Sequence, residues 1–175
     1  MGKRRSSNAC ECCSSRGICC KMTVALNIAD VRDIQSSTGI PCKDFIQLIP
    51  VDHARSLYHD LRVDGDYYYL SLRKDGSGDC IFLSESLCTI QEHKPLVCRL
   101  YPLGVEDGMP VARKNTVCPE RCGIEGLNAE QARQKKAEYE AYLEQVKVMG
   151  SFAKRWASME CGRGLDDLIR EMMRD

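Results

Sequence analysis

The sequence has no long hydrophobic run, few aromatic residues and no excess of charge of either sign. No stretch approaches the roughly 18 consecutive apolar residues of a membrane-spanning helix, so we expect no membrane span. Lys plus Arg and Asp plus Glu number 25 each, and this balance argues against a nucleic-acid or anionic-membrane partner. Residues Met1–Asn8 are basic and polar and lack the apolar stretch of a secretory signal, which predicts a cytoplasmic protein.

The motifs of several common enzyme classes are also missing. The chain has no glycine-rich phosphate loop, no nucleophile elbow, no His-Glu zinc helix and no basic stripe with interleaved aromatic residues. These absences argue against the ordinary hydrolases. The length of 175 residues and a hydrophobic content of 43% suit one globular domain of common size.

Cysteine is the residue type that stands out in number and arrangement. Of the twelve cysteines, ten form tight groups. These are Cys10, Cys12, Cys13, Cys19 and Cys20, then Cys80, Cys88 and Cys98, then Cys118 and Cys122. Twelve in 175 residues is below the roughly 8–10% of short disulfide-rich secreted scaffolds. In a reducing cytoplasm such groups are more often metal ligands than disulfides, so the sequence predicts a metal site.

The first cysteine group has the spacing C-x2-C-x5-C-C, in which a short loop can place two sulfur atoms on one ion. Cys12 is an additional thiol inside that loop. In an extended segment the neighbouring side chains of Cys19 and Cys20 would diverge. Either one of the two binds metal while the other packs against the core, or the protein holds two metals.

The first half of the chain is predicted to contain short helices and β-hairpins. Asn27 caps a helix that ends at Gly39, and Pro41 opens a second helix that closes at Pro50. The following elements are a strand over 67–72, a Gly76-Ser77-Gly78 turn leading to Cys80, a helical turn from Pro95 to Pro102 and a hairpin at Asp107-Gly108. The cysteines therefore lie at the edges of these elements.

The last part of the chain is predicted to be helical. Asn128 and Gln131 form a capping-box pattern, and apolar residues recur every three or four positions as far as Trp156. Gly162 and Gly164 interrupt the pattern before a short final helix. The fold class is therefore α+β, a small cysteine-cluster core followed by a long C-terminal helix. We divide the chain into a basic polar tail (1–9), a metal-binding domain (10–124) and a helical extension packing on it (125–175).

Two stretches of the chain carry a family resemblance. The first joins Cys10-Glu11-Cys12-Cys13 and Gly17-Ile18-Cys19-Cys20 to Ile28-Ala29-Asp30-Val31. The second contains Cys80-Ile81-Phe82-Leu83, Cys88-Thr89-Ile90 and Lys94-Pro95-Leu96-Val97-Cys98-Arg99-Leu100-Tyr101-Pro102. Together they resemble the YkgJ-like CxxCxxxCC cysteine-cluster family, a group described as zinc- or iron-chelating. Departures are the longer spacer before Cys19, Gln91 in place of an aromatic residue, and Lys94 in place of arginine.

The resemblance covers about Cys10 to Cys122 and implies a set of metal ligands. The implied ligands are Cys10, Cys13, Cys19, Cys20, Cys80, Cys88, Cys98 and Cys118. Cys12 and Cys122 rank below these. Cys42, on a predicted amphipathic helix, and Cys161, on a tail, are interpreted as ordinary thiols.

The identity of the metal is left between two alternatives. An iron-sulfur cluster is favoured because histidine is nearly absent from the cysteine groups and because Cys118-Pro119 is similar to the Cys-Pro of ferredoxin ligand runs. Zinc is the alternative, since four cysteines commonly hold structural zinc and C-x2-C is its usual unit.

Three functions are compatible with such a site. The favoured one is an iron-sulfur or iron protein with a redox or accessory role. The second is a zinc-stabilised module whose long helix engages a protein partner through charges such as Lys135 and Lys136. The third is a methyltransferase-related activity, because a similar domain occurs in flagellin lysine methylases. Arg99 is assigned to cofactor binding, chiefly as a countercharge to the sulfurs, and His93 is interpreted as a loop histidine rather than a ligand.

Overall fold

Short helices, small antiparallel sheets and one long C-terminal helix make up the fold, which confirms the α+β prediction. The computed structural model describes residues 17–51, 60–106, 109–112, 117, 128–159 and 164–174. The helices are α1 (Ile28–Thr38), α2 (Cys42–Phe45), α3 (Leu96–Leu100), α4 (Ala129–Ala157) and α5 (Leu165–Met172). The strands are β1 (Ile46–Pro50), β2 (Leu61–Val63), β3 (Asp66–Leu72), β4 (Leu83–Ser84), β5 (Leu87–Cys88), β6 (Leu103–Glu106) and β7 (Met109–Ala112). Two 3₁₀ turns occupy Ile18–Lys21 and Gln91–His93.

The central sheet has three antiparallel strands in the order β1-β3-β2. β1 pairs with β3 from Ile46 opposite Leu72 to Pro50 opposite Tyr68. β2 and β3 form a hairpin whose turn residues, Asp64 and Gly65, both have positive φ, as the type I′ turn requires. The segment before α1 extends this sheet, because the amide of Leu72 donates to the carbonyl of Val24. The residues just before that segment therefore lie close in space to the strands formed by the middle of the sequence.

The predicted second helix from Pro41 to Pro50 is wrong beyond Phe45. The helix ends there, and Ile46–Pro50 forms the edge strand β1. A short apolar run such as Ile46–Ile49 is compatible with either a helix or a strand. Here it forms a strand because it pairs with β3. Pro50 is accommodated because it lies at the end of an edge strand.

The hairpins predicted for the middle segment are confirmed in part, and some are shorter than predicted. The turn at 76–78 is present, but Cys80 joins the preceding strand only through one bridge to Lys74. β4 and β5 form a minimal hairpin that places Leu83 opposite Cys88. β6 and β7 pair on either side of Asp107-Gly108, as predicted, although these two residues lie outside the described ranges.

The predicted helix boundaries are largely confirmed. α1 begins after Asn27 and ends at Gly39, which has a φ of 70°. α4 begins with a capping box of Asn128 and Gln131 and ends at Ala157. None of the helices in the described ranges is long and apolar enough to cross a membrane.

The C-terminal helices pack against the sheet and α1 to form one core. Fully or nearly fully buried side chains come from each part: Val31, Ile34, Phe45, Leu61, Leu70, Leu72, Phe152, Trp156, Leu168 and Met172. Trp156 also donates a hydrogen bond of 2.6 Å from its indole nitrogen to the carbonyl of Arg62 in β2. The second half of α4 is therefore anchored to the sheet by both apolar burial and a directed polar contact.

This anchor predicts a graded loss of stability at Trp156. Trp156→Phe keeps an aromatic ring but leaves the Arg62 carbonyl without the indole donor, and should cost about 1–3 kcal/mol. Trp156→Ala also empties the ring site and should cost about 3–5 kcal/mol. Urea unfolding measures both values. Val148→Ala, at a position that is 52% exposed on the same helix, is the control and should change stability by less than about 0.5 kcal/mol.

Candidate metal centre

Cys19 and Cys20 lie in the first 3₁₀ turn, which packs directly on β4. The turn follows Gly17, whose φ is 84°. A Cβ atom at Gly17 would lie 3.0 Å from a methyl carbon of Leu83. Glycine therefore permits both the left-handed backbone and the close approach. Since Leu83 pairs with Cys88, this contact brings the first cysteine group beside the second.

Backbone and lysine contacts join the same turn to Cys80. The amide of Cys80 donates to the carbonyl of Cys20 at 3.0 Å. The ammonium group of Lys74 donates to the carbonyls of Cys20 and Met22. Lys74 is itself the bridge partner of Cys80. These contacts hold the N-terminal turn against the middle of the chain.

Five cysteines form what we call the thiol group: Cys19, Cys20, Cys80, Cys88 and Cys98. Burial raises the pKa of Cys98, and the nearby sulfurs of Cys80, Cys88 and Cys19 raise it further. The pKa of Cys20 is raised by its hydrogen bond with Cys19, by burial and by the charges of Cys19, Cys80 and Cys88. The five thiols therefore share one electrostatic neighbourhood, although they come from three separate parts of the chain.

Cys19 ionises before Cys20, Cys80 and Cys98. A hydrogen bond from the Cys20 side chain lowers the pKa of Cys19 to about 6 against the opposing effect of burial, and the positive charges of Lys94 and Lys74 contribute to the lowering. Burial raises the pKa of Cys80. At neutral pH the metal-free group therefore contains a thiolate at Cys19 beside protonated thiols at Cys20, Cys80 and Cys98.

The side chains of the adjacent Cys19 and Cys20 are closer together than they would be in an extended chain. They lie in a 3₁₀ turn rather than a strand, so the divergence expected for neighbouring strand residues does not apply. Their side chains are hydrogen-bonded to each other. Both alternatives for this pair, one ligand plus one packing thiol or two metals, stay open.

The donor chemistry of the thiol group suits a thiophilic metal, and the described ligand set is incomplete. Within the described ranges, no three or more His, Cys, Asp or Glu side chains are arranged so that they could hold a metal ion. The other predicted ligands, Cys10, Cys13 and Cys118, lie outside the described residues, as do Cys12, Cys122 and Cys161. The six described cysteines are free thiols. The assignment of particular cysteines as ligands stays a prediction.

Hydrogen-bond partners are defined for Arg99, His93 and Cys42. The guanidinium of Arg99 donates to the carbonyls of Glu92 at 2.9 Å and Lys94 at 2.8 Å, so it braces the loop before α3. His93 hydrogen-bonds through Nδ1 to Asp33 at 3.1 Å. Cys42 is buried and its sulfur lies 2.9 Å from Oε1 of Gln35.

Three residues near the thiols were not identified from the sequence as part of the site. Lys74 and Lys94 supply positive charge to Cys19. Asp30 is 6% exposed and accepts a hydrogen bond of 3.2 Å from the amide of Leu96, two residues before Cys98. Lys94 lies inside the cysteine motif, so the sequence alone could have identified it as part of the site. Asp30 also lies inside a motif, but its contact with Leu96 and that of Lys74 with Cys20 span 66 and 54 residues of sequence, so neither role could be read from the sequence.

The contact at Gly17 predicts a local effect on the site. Gly17→Ala should lose metal because its Cβ meets Leu83 and displaces the turn that carries Cys19 and Cys20. Gly65→Ala is the matched control, since Gly65 has a φ of 98° and no atom within 4 Å of an added Cβ. Both variants should lose about 1–2 kcal/mol of stability from the left-handed backbone. Equal metal contents in the two purified variants would contradict this role of Gly17.

Comparison with known proteins identifies the family. The CxxCxxCC family model, with the description "Putative zinc- or iron-chelating domain", matches residues 9–123. Searches of curated proteins and of solved structures give no significant match. The matched region contains the thiol group, and the family description supports metal binding by this region. Because the match covers more than half of the 175 residues, the chain belongs to the CxxCxxCC family.

Proposed function

We propose that the protein binds iron through its clustered cysteines as an iron-sulfur cluster, with a redox or accessory role in the cytoplasm. The observation that carries this proposal is the gathering of five thiols in one neighbourhood. A zinc ion and an iron-sulfur cluster each take four cysteine ligands, so the preference for iron rests on the near absence of histidine from the cysteine groups and on Cys118-Pro119. Such a cluster would supply one-electron transfer at the thiol group.

The residues around the thiols favour a negatively charged sulfur-ligated centre. Lys74 and Lys94 place positive charge near Cys19, which offsets part of the charge of several thiolates. Arg99 braces the loop that carries Lys94 and leads into α3. Cys80 is itself 6% exposed, so water has little access to this thiol. Hydrogen bonding and solvent exclusion of this kind set the properties of sulfur-ligated metals.

A zinc-stabilised interaction module is the second candidate. The family description names zinc beside iron, and structural zinc is commonly held by four cysteines. In this alternative α4 engages a protein partner. Leu143 and Val148 support that proposal, because these large apolar side chains on α4 are 41% and 52% exposed.

The iron proposal predicts a coloured protein whose metal depends on particular thiols. Anaerobic purification should yield brown protein with visible charge-transfer absorption and bound iron. Cys20→Ser, Cys88→Ser and Cys98→Ser, and likewise Cys13→Ser, should each lower metal content and stability, because metal binding and folding are coupled. Cys42→Ser is the control: its sulfur faces Gln35, so metal content should be unchanged. Colourless protein with stoichiometric zinc would reject the iron-sulfur proposal in favour of the second candidate.

The raised thiol pKa values predict that metal affinity increases with pH. Cys20, Cys80 and Cys98 have raised pKa values, so metal must displace protons from those of them that become ligands. Each displaced proton should increase the apparent affinity for Zn²⁺, used as a probe ion, by about tenfold per pH unit. Competition with a chelator from about pH 6 to about pH 8 measures the slope after correction for the chelator's own protonation. A pH-independent affinity would show that protonated thiols are not the ligands.

A further inference from the structure

The contact between α1 and α3 links a buried carboxylate to the backbone that carries a predicted ligand. Asp30 lies in the first turn of α1 and is 6% exposed. Its Oδ2 accepts from the amide of Asn27 at 3.0 Å, and its Oδ1 accepts from the amide of Leu96 at 3.2 Å. Leu96 is the first residue of α3, and Cys98 follows two positions later.

Helix capping alone does not account for the burial of Asp30. α4 begins with the same capping box, but there the third position is Gln131, a neutral residue that is not buried. Burying a carboxylate is costly unless it is well hydrogen-bonded. Accordingly, burial raises the pKa of Asp30, while its hydrogen bonds with Asn27 and Leu96 and the nearby Arg99 lower it and Asp33 raises it. The contact with Leu96 goes beyond a helix cap, because it joins Asp30 to a different helix.

The other polar contacts described between α1 and this loop are exposed and correspondingly weak. Asp33 approaches His93 at 3.1 Å and Arg99 at 4.0 Å, and its side chain is 47% exposed. Solvent-exposed ion pairs of this kind contribute little. Among the polar contacts described between α1 and this segment, the bond from the Leu96 amide to Asp30 is therefore the buried one that fixes the start of α3. The end of α3 is held from the other side, where the ammonium of Lys135 donates to the carbonyl of Arg99 at 3.0 Å.

We infer that Asp30 is a positioning residue for the metal centre: it anchors the first amide of α3 and thereby fixes Cys98 relative to the other thiols. This inference rests on the proposed metal-binding function and does not depend on whether the metal is iron or zinc. Residues that orient metal ligands without touching the metal typically change affinity by about 10–100-fold when replaced. Asp30 belongs to that class.

Two substitutions act on the bond from its two ends. In Asp30→Asn the acceptor loses its negative charge and one of its two oxygens, so the bond from the Leu96 amide is weakened or lost. Leu96→Pro removes the donor. Proline is well tolerated at the first helical position, and Pro95 already has the extended backbone that a following proline requires, with φ −49° and ψ 143°. If Asp30→Asn does not fold, Leu96→Pro tests the same bond.

Two control variants separate positioning from general effects. Asp33→Asn makes the same chemical change one turn further along α1, at a residue whose contacts with the loop are exposed. Asn27→Ala weakens the N-terminal cap of α1 but leaves the amide of Leu96 with its acceptor. The full-length protein is used as purified, and transfer of its bound metal to EDTA is followed over time.

The expected result is that Asp30→Asn and Leu96→Pro release metal at least about tenfold faster than the wild type, while both controls stay within about twofold. Release from Asp30→Asn at the rate of Asp33→Asn, or wild-type retention by Leu96→Pro, would overturn the inference. A wild type without bound metal would instead defeat the proposed function. In that case, hydrogen exchange of residues 94–101 tests the anchoring role of Asp30 by itself. Faster exchange in Asp30→Asn than in Asn27→Ala would support this role, and equal exchange would reject it.

Discussion

The hydrogen bond from the Cys80 amide to the Cys20 carbonyl joins the N-terminal turn to the middle of the chain. Together with the pairing of residues 24–26 with β3, this bond fixes Cys19 and Cys20 relative to Cys80. Lys74 reinforces it by donating to the same carbonyl. Gly17 allows the turn to lie against Leu83 on the other side of the junction. A backbone contact therefore helps to bring the sulfurs together, so their proximity does not depend on bound metal alone.

Bringing thiols together in a partly buried place has an electrostatic cost. Each thiolate raises the pKa of its neighbours, as Cys98 illustrates, so without metal most of the group stays protonated. Lys74 and Lys94 reduce this cost at Cys19. A bound cation would remove it, because a metal ion supplies positive charge at the centre of the sulfurs. The same physics makes metal binding, proton release and stability dependent on one another.

The local elements could be predicted from the sequence because their signals are local. Asn27 and Gly39 delimit α1, and Asn128 with Gln131 starts α4. β1 was mistaken for a helix because its state depends on pairing with β3, which lies some 20 residues away in the sequence. The grouping of Cys19, Cys20, Cys80, Cys88 and Cys98 was expected from the family motifs. The roles of Lys74 and Asp30 could not be predicted, since both act through contacts that only the packed fold creates.

The central claim is that sulfur atoms from the N-terminal turn, from the β4–β5 region and from α3 surround one metal centre. X-ray absorption at the iron and zinc edges of anaerobically purified full-length protein tests this most directly. The account predicts a first shell of sulfur, at about 2.3 Å if the metal is zinc, and loss of sulfur scattering or of the metal itself in Cys98→Ser. A first shell of nitrogen and oxygen only, or well-folded protein whose thiols are paired as disulfides, would contradict it.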